Sequence, residues 1–442
     1  MGSELDIPAA KSWTSGLTKK HWNILFASFL GWVFDGYESY ALIVVMPFAL
    51  KGLLPPDQLS SMPLWAGIAI GITLLGCGAG GVVGGVLADY IGRKRMMLIS
   101  VFLYAMLSGL TALVHSFAAL VFLRFVTGLA MGSEWSTGVT LLAETWPDRA
   151  RPKGAGFLQS GFGWGTFLAA FVWMILGAWQ PLGAETWRLM FLFGALPALF
   201  LLYIRRSIDE SEKWLLAVKN KRWTAVGSTA GERRPFTLAQ IFKDPSARKR
   251  TLLAFLLSLS TTVGWWAISS WLPALAVSFT KMQGMENPAV WGARVALLYT
   301  AGALLAYMVS GFLADWMGRR RFLLMTYAGA LASTPLTYLW PGSVEQLMLV
   351  AGLSGFFTLG CAYAWMAIYP AELFPSLVRS SAASFIFNAT RLIAWVFPII
   401  AGTLIGYFGS IPKAAMILSS IYILGLIVPW SMPETRGKPL PE

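Results

Sequence analysis

Apolar runs of roughly 19–30 residues, divided by short polar breaks, recur twelve times along the chain, each long enough to cross a hydrocarbon core of about 30 Å as a helix. They fall near 22–50, 64–88, 96–114, 117–146, 153–179, 186–204, 250–280, 290–314, 322–340, 344–369, 380–407 and 412–431. The pattern predicts an all-α membrane protein with 12 transmembrane helices. The polar, Lys/Arg/Glu-rich stretch 205–249 divides it into two six-helix bundles. The expected organisation is a tail over 1–21, a first bundle over 22–204, a linker over 205–249 carrying a short amphipathic helix near 208–218, a second bundle over 250–431 and a tail over 432–442. Residues 1–20 are polar and the first apolar stretch is too long for a signal peptide, so the N-terminus is expected to stay in place.

Composition agrees with the pattern: 56% of the 442 residues are hydrophobic and only 12% charged, about half of what a soluble domain carries. The net charge of +13 could in principle mean nucleic-acid binding, but the positive residues sit in the loops on one side. With the N-terminus inside, 27 of the 34 Lys and Arg fall in inside segments, against five in outside loops, and two, Arg124 and Arg391, within spans. That asymmetry places both termini in the cytoplasm of a multi-pass cell-membrane protein. Cys77 and Cys361 sit singly in apolar segments and read as core filler rather than disulfide or metal ligands. The glycine run 76–85 lacks the following Lys-Ser of a nucleotide loop and reads as close helix packing. No nucleophile, base and metal constellation suggests an enzyme.

The halves repeat. Gly85, Asp89, Gly92, Arg93, Lys94 and Arg95 recur as Gly311, Asp315, Gly318, Arg319, Arg320 and Arg321, with the two aspartates 226 residues apart. Glu144, Pro147 and Arg151 recur as Glu372, Pro375 and Arg379, 228 apart. Parallel duplication places a substrate cavity between the halves near the midplane. The Asp89 and Asp315 loops combine a tight glycine turn, a carboxylate near a helix N-terminus and arginines able to pair with Glu144 or Glu372. The expectation is a cytoplasmic gate of Asp89, Arg93, Glu144, Arg151, Asp315, Arg319, Glu372 and Arg379 that latches the inside face shut.

The spacing G-x-x-x-D-x-x-G-R-R/K-R/K, present in both halves, resembles the signature of the major facilitator superfamily over nearly the whole chain. Arg124 through Gly128, Glu144 through Arg151 and the tail Pro433-Glu434-Thr435-Arg436-Gly437-Lys438 resemble its sugar-porter and metabolite–proton-symporter branch. Gly132-Ser133-Glu134-Trp135 with Gln159-Ser160-Gly161 is similar to sialate/lactate symporters, and Asp35-Gly36-Tyr37-Glu38 to aromatic-acid and related carboxylate symporters. Asp209-Glu210-Ser211-Glu212-Lys213 departs from the P-E-S-P-R of sugar porters, which weakens a hexose assignment. The resemblance implies a secondary transporter that alternates access, uses the proton gradient and needs no cofactor. It puts Glu38 and Arg124 where proton-linked sugar porters carry their acid–arginine couple, and lets Gln159 contact substrate.

Within the spans, ionisable residues carry the information, because a charge at the bilayer centre costs at least about 2.5–3.5 kcal/mol unless paired or hydrated. They are Asp35, Glu38, Arg124, Glu134 and Arg391. Asp35 and Glu38, three residues apart on one helix face, are candidates to bind and release a proton against Arg124. Glu134 lies about 15 Å from Arg124 along the helix and is either a second proton site or a structural acid. No acid of the C-terminal half lies at the depth of Arg391, which makes it a candidate to hold a carboxylate substrate by two parallel N–H···O bonds. Asn388 sits one turn earlier, and Gln159 is its near repeat-equivalent. Tyr37 and Tyr40, with Trp265, Trp266 and Trp271, are candidate cavity walls. The expected function is proton-coupled symport of a small organic acid by a monomer in the lipid bilayer, the alternative being symport of a sugar or polyol. A reporter fused to the C-terminus tests the topology: fluorescent protein there should fluoresce and alkaline phosphatase stay inactive, and the reverse would invert the orientation.

Overall fold

The computed structural model describes residues 14–147, 150–210, 215, 241–374, 376–436 and 438, and it is helical almost throughout. Twelve helical passages succeed one another among the described residues. The first half holds α1 (Lys19–Leu53), α2 (Met62–Ile91), α3 (Arg93–Thr111), α4 (Phe117–Thr145), α5 (Arg151–Trp179) and α6, which is broken into Trp187–Phe193 and Pro197–Ser207. The second holds α7, assembled from Pro245–Val263 through Leu272–Met282, then α8 (Pro288–Met317) and α9 (Arg319–Tyr338). It continues with α10, from Val344–Gly355 to Ala362–Leu373, and α11, from Ser376–Asn388 to Val396–Phe408. It ends with α12, from Ile411–Leu418 to Val428–Ser431. Ten of these passages are long and apolar enough to cross a membrane by themselves. The break in α6 and the three arginines that open α9 account for the other two. Ile208, Asp209 and Glu210 are not helical, and the rest of the amphipathic helix expected near 208–218 lies outside the described residues, Leu215 apart.

The halves meet along two equivalent seams. In one, α2 runs antiparallel to α11: a Cβ on Gly67 or Gly71 would stand 2.3 Å from the carbonyl oxygens of Pro398 and Trp395. In the other, α5 runs antiparallel to α8, with Gly177 against Ala289 and Gly163 against Leu304 and Tyr307. Small residues at crossings of this kind let helix backbones touch, which is how helices associate where lipid removes the hydrophobic drive. Exchange of the two halves turns one seam into the other, as the sequence repeat requires.

The signature loops are turns that need glycine. Gly92 (φ 101°) and Gly318 (φ 89°) join α2 to α3 and α8 to α9 in a backbone conformation that side chains disfavour. Two π-helical turns interrupt α7 at Gly264–Ile268 and α10 at Phe356–Cys361, beside the aromatic residues described below. Such turns recur at functional sites.

Close packing makes a contrasting pair of substitutions informative. A Cβ on Gly165 would lie 1.9 Å from the Val33 carbonyl oxygen, whereas one on Gly156 meets nothing within 4 Å. Gly165→Ala should therefore lower thermal stability in detergent by about 1–3 kcal/mol and Gly156→Ala leave it within about 0.5 kcal/mol. Equal effects would contradict the packing.

Candidate functional site

α4 runs antiparallel to α1, with Ser28 level with Gly138, Gly31 with Glu134 and Glu38 with Arg124. This register brings the expected acid–arginine couple together. Arg124 Nη1 donates to Glu38 Oε1 at 2.7 Å, with both side chains 1% exposed. Arg124 Nη2 donates to Thr111 Oγ1 at 2.7 Å, and the guanidinium lies 4.7 Å from the centre of the Phe191 ring. The pair is sealed inside the N-terminal half.

Arg391 stands elsewhere, on the seam. Its stem packs on Gly78 of α2 and its guanidinium lies 4.5 Å from the Phe387 ring centre. Nη1 donates to Asn388 Oδ1 at 3.3 Å, as the one-turn spacing predicts. Among the described residues no carboxylate lies within 4.0 Å of it, although Asp35 of the other half is within electrostatic reach. A guanidinium 7% exposed, with donors left over, can take a carboxylate by two parallel hydrogen bonds.

Near it the halves contribute a cluster of packed aromatic rings. Trp135 stacks on Phe387 at 3.9 Å, and Trp32 sits 6.0 Å from both. Phe162 lies parallel to Tyr363 at 6.2 Å and edge-on to Trp265 at 5.4 Å, while Tyr40 stacks on Trp265 at 6.3 Å. Trp266 meets Trp265 at right angles, 4.5 Å away. Several polar tips here are buried and have no hydrogen-bond partner: Trp32 Nε1, Tyr40 Oη, Trp265 Nε1, Tyr307 Oη and Gln159 Nε2. Buried donors ordinarily find a partner, so these groups are free to meet polar atoms of a bound molecule.

Other expected site residues are engaged differently. Gln159 Oε1 accepts from Trp135 Nε1 at 3.0 Å, and no hydrogen bond joins Gln159 to Asn388. Tyr37 turns into its own half and donates to the Met190 carbonyl at 2.9 Å, away from the ring cluster. Trp271 is buried. Trp32, Phe162, Tyr363 and Phe387 were missed by sequence reasoning. In helices apolar on every side no period marks the face turned to the partner half, and only the nearness of Phe387 to Arg391 could have signalled one of them.

At the end carrying the signature loops, Arg319 donates to Glu372 at 2.6 and 2.9 Å and to Asp315 at 2.6 Å. Both acids belong to the same half as Arg319. In the C-terminal copy the expected pairing of a loop arginine with Glu372 is thus a contact within one half, where the ends of α8, α9 and α10 are neighbours. Asp89, Glu144, Arg151 and Arg379 lie outside the residues whose side chains are described. Arg93 donates to the Ala88 carbonyl at 3.2 Å.

The loops gain a partner the sequence did not single out. Glu210, after α6, accepts from the backbone N–H of Arg93 (2.8 Å) and Lys94 (3.2 Å), the first residues of α3. Glu434, after α12, accepts from those of Arg319 (3.0 Å) and Arg320 (3.1 Å), the first of α9. Each acid thus answers a helix N-terminus and its dipole. Partial burial works against the Glu434 charge, but backbone donors outweigh it and hold its carboxyl below the usual carboxylate range. This clasp is therefore present above that range and lost as pH falls through the lowered value.

The profile of the sugar (and other) transporter family matches residues 25–442. A probable 4-methylmuconolactone transporter of Cupriavidus pinatubonensis is 27% identical, covering 96% of this chain and 94% of its own. A cis,cis-muconate transport protein of Acinetobacter baylyi is 28% identical, covering 92% and 93%. A sialic acid transporter of Escherichia coli is 26% identical, covering 90% and 91%. The Escherichia coli xylose transporter in a partially occluded inward-open conformation shares the fold at TM-score 0.71 and 19% identity, covering 96% of this chain and all of that one.

Removing one member of the sealed couple strands the other. Glu38→Ala should destabilise the protein by about 3–5 kcal/mol in detergent unfolding, and adding Arg124→Leu should recover most of it; no recovery would mean the pair is not the cause. With the family profile matching nearly the whole chain, the chain belongs to the sugar (and other) transporter family of the major facilitator superfamily, and is a multi-pass membrane transporter of metabolites rather than an enzyme.

Proposed function

We propose that the chain takes up a small, flat organic acid together with protons, holding the carboxylate at Arg391 and the body of the substrate against the aromatic walls. One observation carries this reading: the Arg391 guanidinium lies at the seam over the Phe387 ring with no carboxylate within 4.0 Å among the described residues. A cation so placed costs free energy unless something negative joins it, and an anionic substrate is the partner it lacks. Rings such as Trp135, Phe162, Trp265 and Tyr363 favour a planar or conjugated body by stacking. Relatives that carry muconate and methylmuconolactone support the same class.

Protons enter through the acids of the N-terminal half. Protonating Glu38 would release Arg124 and alter the packing of α1 on α4, which couples charge to the conformational balance. The termini are cytoplasmic in this proposal, and the substrate moves inward down the proton gradient.

A second reading, symport of a neutral sugar or polyol, is favoured by the unpaired Gln159 Nε2 and Tyr40 Oη, which suit hydroxyl groups. Uptake into proteoliposomes with an imposed pH gradient separates the two, using cis,cis-muconate, nicotinate, sialic acid and xylose. The expected result is saturable, gradient-dependent uptake of an acid that xylose does not inhibit. Arg391→Ala should weaken it by roughly 10- to 100-fold, the worth of charged hydrogen bonds, with Arg391→Lys recovering part. Xylose transport, or unchanged acid affinity in Arg391→Ala, would reject the carboxylate reading.

A further inference from the structure

A pair of carboxyl groups remains that the Glu38–Arg124 couple does not use. Glu134 of α4 is fully buried, and neither of its oxygens has a hydrogen-bond partner. It lies against the α1 backbone: a Cβ on Gly31 would stand 2.0 Å from Oε1. Asp35 is one helical turn beyond Gly31 on the same face, is 4% exposed, and its Oδ1 is also unpartnered. The two acids feel each other's charge. The titratable groups within electrostatic reach are Glu38 on α1, the Cys77 thiol on α2, the Tyr104 hydroxyl on α3 and Arg391 on α11. Tyr104 Oη is buried without a partner as well. Among the described residues no cation lies within 4.0 Å of either acid.

We propose that Asp35 and Glu134 hold a single proton between them, a proton site separate from the Glu38–Arg124 pair, and that the loss of Arg391 to an anion makes the pair take a second proton. Two bare carboxylates buried this close along the α1–α4 contact, with Asp35 Oδ1 and both Glu134 oxygens unpartnered, would each carry a desolvation penalty of several kcal/mol, and the one available cation offsets one of them. Glu38 and Arg124 cancel each other; Asp35, Glu134 and Arg391 reach neutrality with one proton. When a carboxylate occupies Arg391, the positive charge within reach of Asp35 is cancelled, and the pair gains its second proton from the aqueous phase. Anion and proton then enter as a neutral set. This coupling rests on the carboxylate reading above; the shared proton does not.

The test needs no substrate. Infrared spectra of the reconstituted full chain at neutral pH should show the carbonyl stretch of a buried protonated carboxyl. The band should shift when the wild-type chain carries carbon-13 in its aspartate and glutamate carboxyls, and should persist in Glu38→Gln. Arg391→Gln, which imitates an occupied guanidinium, should raise its intensity about twofold. Isotope labelling of the wild type keeps the test decisive if Glu134→Gln or Asp35→Asn fails to fold. Absence of the band, its loss in Glu38→Gln, or unchanged intensity in Arg391→Gln would overturn the proposal. A carboxylate stretch that responds to sodium instead of pH would overturn it in favour of a sodium site. Failure of acid uptake with the band intact would reject the substrate class alone.

Discussion

A guanidinium in the middle of a membrane has to be answered by a charge, by water or by a ring face, and the way Arg391 is answered organises the centre of this molecule. Its own half supplies an amide and the face of Phe387, neither of which cancels the charge. Asp35, the acid within electrostatic reach, belongs to the opposite half, so the attraction acts across the seam rather than within a bundle. An interaction that bridges two rigid bodies is sensitive to their relative position, which is the quantity a transporter must change.

The duplicated halves have kept the same ends and diverged at the centre. Gly92 and Gly318 make the same turn, and Glu210 and Glu434 clasp the same helix start. At mid-membrane the N-terminal half holds Asp35, Glu38 and Glu134, while the C-terminal half holds Arg391 and a cluster of hydroxyls where Ser258 and Thr262 meet Thr390. The division leaves the N-terminal half with three buried acids against Arg124, and the C-terminal half with the buried cation that the proposed function assigns to the substrate.

The twelve spans were legible because bilayer thickness imposes a length and water imposes polar breaks, and both leave a direct trace in the chain. Helix ends moved by a few residues, most at the start of α7, the end of α10 and the start of α11. The buried charges were legible for the same reason: five ionisable residues in apolar runs are conspicuous, and the spacing of Glu38 and Arg124 became a 2.7 Å contact through the α1–α4 register. The aromatic cluster was not legible. With 21 Trp and 28 Phe, position rather than identity decides which ring faces the seam, and the small residues that set that rotation, such as Gly36 against Phe162, act through tertiary contact.

The central claim is that Arg391 exchanges the field of Asp35 for the carboxylate of a substrate. A structure of the chain bound to cis,cis-muconate or another transported acid tests it most directly. The account predicts a carboxylate within hydrogen-bonding distance of Arg391, with the body of the acid against Trp135, Phe162 or Trp265. A bound acid that leaves the guanidinium untouched, or finds it paired directly with Asp35, would contradict it.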